Sequence, residues 1–177
     1  MIVGPLLLLT GILLRLRFHF FFPQQLAAVQ EHPTLMFASY SMFLAGIILL
    51  WPAVATLAWL IGRSRPGWAM WGGTLAMLGL FARTFHAGVD HLAFQLVHVQ
   101  GLEVATQAVR DSYGANHIVK TLNPAIMLGW IVLAIGAYRA GTLGLVRSVA
   151  LGLMACLMMG VLKGSSIVSV IAAGGSA

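Results

Sequence analysis

From Thr34 to Ile61 the chain carries no Asp, Glu, Lys, Arg or His. A hydrocarbon layer about 30 Å thick is crossed by about 20 apolar residues in a helix. The run meets that length with residues to spare. Only 8% of the 177 residues are charged, 60% are hydrophobic and the mean hydropathy is +0.94, where a soluble domain has roughly 25% charged residues. These features predict an all-α, polytopic membrane bundle of about five transmembrane helices, joined by short connections in a single domain over residues 1–177.

The predicted spans are about 2–22, 34–61, 68–94, 121–138 and 148–172, with extramembrane segments at 23–33 and 101–120. Ile2–Leu14 alone is too short to cross, so the first span extends through Arg15, Arg17 and His19 to its stop at Pro23. Phe18 and Phe20–Phe22 read as an aromatic belt, and snorkelling would let Arg15 and Arg17 reach an interface. Pro52 should kink the second span. Arg63-Ser-Arg-Pro-Gly67 is a tight turn. Within 101–120, Leu102–Ser112 could form a short surface helix ended by Gly114. Asn123 caps the fourth span and Pro124 takes its first helical position. Gly160 and Gly164 give the last span a small-residue face suited to close helix approach and to a homo-oligomer.

Several classes are set aside. The net charge is +6, but the basic residues are scattered and form no patch interleaved with aromatics, so nucleic acid is not a partner. The lone Cys156 rules out an intrachain disulfide and a thiolate-rich metal site. The N-terminus lacks a basic n-region and a small-residue cleavage site, so the first apolar run reads as a retained span. The five tryptophans read as interface anchors and packing, and Met154, Met158 and Met159 as core filling.

The chemistry concentrates in Phe81–His98. On a helical wheel Arg83, His86, Asp90, His91 and His98 share a stripe of roughly 140°. His86 and Asp90 are four apart and can meet. Ionisable residues inside a membrane helix face a bundle interior or a cavity by default. His86, Asp90 and His91 are the catalytic candidates, because a carboxylate can orient an imidazole and stabilise its protonated form. Arg15, Arg17, Arg83 and Lys163 are the candidates for holding an anionic group, with Asp90 as the partner of Lys163. The His-x-x-x-Asp spacing resembles the end of a motif in type-2 phosphatidic-acid phosphatases. The arginine-to-histidine spacing is too short for that family, and no Pro-Ser-Gly-His segment is present.

All six histidines and all four acids fall toward one side of the predicted bundle. The other side receives only two tight turns bearing Arg63, Arg65, Arg139 and Arg147. Short arginine-bearing loops are usually cytoplasmic. The chain is therefore expected in the cell membrane with a cytoplasmic N-terminus, an extracytoplasmic C-terminus and a polar cavity in the extracytoplasmic half. Three functions fit. The first is an enzyme acting on a lipophilic or lipid-linked anionic substrate by His/Asp acid–base chemistry. The second is a non-catalytic resistance, sensing, assembly or transport protein that binds an amphiphile, a membrane lipid or lipophilic small molecule. The third is a haem- or metal-binding membrane protein, with His91, His98 and His117 as the divalent-metal candidates and His19 opposite His86 or His91 for haem.

Overall fold

The computed structural model describes residues 3–18, 24–115 and 117–158. Among these the chain is all-α: α1 (Val3–Leu14), α2 (Gln24–Glu31), α3 (Pro33–Gly62), α4 (Pro66–Gln100), α5 (Leu102–Ala115), α6 (His117–Arg139) and α7 (Leu145–Met158). Prolines at the first positions of α3 and α4 start both helices, where the missing N–H costs nothing. Gly101 ends α4 with φ +91°, and Gly141 turns the chain after α6 with φ +69°, a region glycine adopts without steric penalty.

The long helices lie side by side in the order α1, α3, α4, α6, α7. Close-packed glycines fix their direction. Gly4 faces Leu49 while Gly11 faces Ser39 and Phe43, so α1 and α3 are antiparallel. Gly72 meets Leu133, Gly79 meets Ile126, Gly129 meets Ala76 and Gly136 meets Trp68, so α4 and α6 are antiparallel too. A Cβ at Gly129 would collide with the Ala76 backbone, and one at Gly79 with Ile126. Only the absence of side chains lets these two helices come so near.

Two apolar clusters result. The larger, with Leu8, Phe43, Ile47, Ile61, Leu80, Ile126, Trp130 and Leu133, fills the bundle of long helices. The smaller, with Leu26, Val29, Met36, Tyr40, Phe94, Val97, Ala105 and Val109, is built where α2 and α5 cover one end of α3 and α4.

Several sequence expectations are corrected. The first span is α-helical only to Leu14, and Arg15–Arg17 form a turn. At 1.5 Å per residue α1 rises about 18 Å, less than an apolar core. Segment 23–33 contains the helix α2. In segment 101–120, α5 continues past Gly114 to Ala115 and α6 begins at His117. Pro124 therefore lies inside α6, and Asn123 is not its cap. Pro52 lies inside α3, as its place within the second predicted span implies; the Thr56 hydroxyl donates to the Pro52 carbonyl at 2.8 Å. Among the described residues one helix, α3, is long and apolar enough to cross a membrane; Val3–Leu14 and Pro124–Arg139 are shorter apolar helices.

Candidate functional site

The end of α1 brings charge into the fold. The Ser39 hydroxyl donates to the Gly11 carbonyl at 2.6 Å in a fully buried contact. A Cβ at Gly11 would lie 2.8 Å from the Ser39 carbonyl oxygen, so glycine and serine together draw α1 onto α3. One turn later the helix breaks: Arg15 N–H bonds to Ile12 at 3.2 Å and Phe18 N–H to Arg15 at 3.0 Å. The break turns Arg15 inward, leaving it 5% exposed, and leaves Arg17 on the surface.

The Arg15 guanidinium sits 4.7 Å from the Tyr40 ring centre and 4.8 Å from that of Phe43. It donates a hydrogen bond to Tyr40 and is in electrostatic reach of Arg83 and Asp90. Arg83 approaches from α4, its guanidinium 5.2 Å from the same Phe43 ring. The Arg83 Nε is buried without a hydrogen-bond partner among the described residues. A cation over an aromatic face is stabilised by about 0.5–2 kcal/mol, most when desolvated. Phe43 thus serves two guanidiniums from two different elements.

His86 and Asp90 are both buried, at 5% and 9% exposure, one turn apart on α4. Among the described residues Asp90 is the only buried carboxylate; Glu31, Glu103 and Asp111 are exposed. Tyr40 belongs to the smaller apolar cluster and Phe43 to the larger. The charged side chains therefore form a layer between the two clusters, beneath the cap of α2 and α5. Measured along α4 from Pro66, Arg83 stands about 26 Å and Asp90 about 36 Å from the arginine-bearing turn.

The other candidates separate from this layer. His91 is half-buried. Its Nδ1–H donates to the Ala87 carbonyl at 2.9 Å, since a carbonyl can only accept. Its ring stands edge-on to Phe37 at 5.7 Å. It is positioned by packing between α3 and α4, with Nε2 left as its second polar atom. His98 is exposed at the end of α4. Arg17, exposed, is not part of the layer. His19, Gly160, Lys163 and Gly164 lie outside the described residues, as does the His117 side chain. Among the described residues no group of three or more His, Cys, Asp or Glu side chains is placed to hold a metal ion.

Sequence reasoning passed over Ser39, Tyr40 and Phe43. A signal for Tyr40 was present: a phenol deep in an apolar run needs a partner for its hydroxyl, and Arg15 is that partner. Nothing in a single sequence marks Phe43 as the shared ring. No family model matches this sequence, and comparison with curated proteins and with solved structures gives no significant match.

Proposed function

We propose that the chain is a multi-pass membrane protein whose capped polar layer holds the anionic head of a lipophilic or lipid-linked molecule. One observation carries the reading: Arg15 and Arg83 share the Phe43 ring in a layer whose only carboxylate is Asp90. Unbalanced charge in a low-dielectric setting is costly. A phosphate or carboxylate supplies the balancing charge, and guanidiniums take such groups bidentately.

The membrane setting is supported by an inverted distribution of side chains. Arg15, Ser39, His86 and Asp90 are buried, while Leu6, Ile48, Leu49, Met70, Trp71, Leu78, Phe81, Leu128 and Ile131 are exposed. An apolar exterior this continuous suits lipid, not water. In this reading α1, α3, α4, α6 and α7 form one lipid-embedded domain of about five helices, and α2 and α5 lie outside the hydrocarbon. The arginine-bearing turns face the cytoplasm. The polar layer, about 26–36 Å away along α4, falls near the opposite boundary of a roughly 30 Å core. A head group held there would leave its chains in the bilayer.

A second reading, catalysis, is favoured by the burial of His86 and Asp90 one turn apart on α4. The carboxylate would orient the imidazole for proton transfer, and the arginines would stabilise a developing oxyanion. Purifying the intact chain in mild detergent and identifying its bound amphiphiles by mass spectrometry tests both. One anionic species should be enriched over bulk lipid and lost from Arg15→Gln and Arg83→Gln. A lipid profile equal to bulk in all three proteins refutes the binding site. Conversion of the bound species, stopped by Asp90→Asn, selects the enzyme.

A further inference from the structure

The cap contributes a buried polar side chain of its own. Gln25, in the first turn of α2, is 1% exposed, and its amide Nε2 has no hydrogen-bond partner among the described residues. It shares the buried face of α2 with Ala28 and Val29, one turn further on. Both pack in the smaller apolar cluster, where α2 lies against α3 and α4. Of that cluster's side chains only Tyr40 carries an oxygen, and Arg15 already donates to it. The Arg83 Nε, from α4, is likewise buried without a hydrogen-bond partner among the described residues. Two N–H donors, one from the cap and one from the layer, therefore call for an acceptor. Buried donors rarely go without one, because leaving one unpaired lowers stability.

We infer that Gln25 completes the head-group site from the cap, and that the head group it fits is a phosphate monoester, not a carboxylate. The inference rests on the reading that the polar layer holds an anionic head, and it adds a binding residue and a ligand class to that reading. The number of oxygens decides the class. A carboxylate offers two, and one guanidinium engages both when it binds bidentately. Arg15 and Arg83, which meet over Phe43, are enough to occupy them. A phosphate monoester offers three oxygens. The third suits a neutral donor, and an amide supplies one without burying a further charge. The donors come from three elements, α2, α4 and the turn after α1, which suits a tetrahedral head better than a planar one.

The test titrates dodecyl phosphate and dodecanoate, two anionic amphiphiles of equal chain length, into the intact chain in mild detergent. The unaltered chain should bind the phosphate several-fold more tightly. Gln25→Leu should weaken the phosphate about tenfold and leave dodecanoate unchanged, so that the preference collapses. A role in packing alone would lower both affinities together. Without amphiphile, Gln25→Leu should unfold at the same temperature as the unaltered chain or above it, because it removes a buried amide that lacks a partner. Gln25→Met, unbranched like glutamine, should give the same results and keeps the test valid if the leucine variant does not fold. Unchanged phosphate binding in the variants overturns the inference, as does an equal loss for the two amphiphiles. So does a lower unfolding temperature of both ligand-free variants, which shows the amide to be satisfied within the chain. The arginine variants separate this claim from the one beneath it. If Arg15→Gln and Arg83→Gln weaken both amphiphiles while Gln25→Leu weakens neither, only the role of Gln25 fails. If neither amphiphile binds saturably to the unaltered chain, the head-group site fails and the role of Gln25 with it.

Discussion

At one end of the bundle Arg63 stacks on Trp59 at 5.5 Å and Arg139 on Trp68 at 5.3 Å. At the other, Arg15 and Arg83 stack on Phe43 at 4.8 and 5.2 Å. The contact is the same, but the surroundings differ. Arg63 and Arg139 are exposed, so solvent and ions screen them and the ring adds only a small term. Arg15 is buried and Arg83 half-buried, with Asp90 and the phenol of Tyr40 close by. There each guanidinium depends on specific partners. The comparison teaches that stacking does not define a site. Withdrawal of the charges from solvent does: Arg15 and Asp90 are buried and Arg83 is half-buried beside them.

Four substitutions would break or sharpen this contrast, each read by unfolding of the intact chain in detergent. Asp90→Asn should have the largest effect, a loss of about 3–5 kcal/mol, because it leaves the buried Arg15 guanidinium without its carboxylate. Added dodecyl phosphate should restore part of that loss, and an uncharged dodecyl detergent should not. Phe43→Leu should follow, at about 2–3 kcal/mol, since it removes the ring from both arginines. Ser39→Ala should cost about 1 kcal/mol by cutting the buried bond to Gly11. Arg63→Gln and Arg139→Gln should each cost less than about 1 kcal/mol. If Arg63→Gln were as damaging as Asp90→Asn, the two ends would not differ as described.

The sequence displayed the helices better than the layer. α3 and α4 were legible because a long apolar run bounded by prolines leaves few alternatives. The stripe of Arg83, His86 and Asp90 was legible because helical periodicity puts them on one face. Arg15 and Arg17 looked equivalent, because nothing local announces that α1 stops at Leu14. The halt depends on the contact of Gly11 with α3, which is tertiary. Asn123-Pro124 looked like a helix start for the converse reason. Packing of α6 against α4 carries the helix through a proline that local propensity would place at its beginning. Tyr40 and Phe43 stayed hidden because their role exists only once three elements converge.

The most direct test of the central claim is a binding titration of dodecyl phosphate into the intact chain, beside an uncharged dodecyl analogue. The account predicts saturable binding of one phosphate amphiphile, weakened roughly tenfold or more by Arg15→Gln and by Arg83→Gln and left unchanged by Arg63→Gln. Equal affinity for the charged and uncharged amphiphiles, or undiminished binding in both the Arg15 and the Arg83 variant, would contradict it.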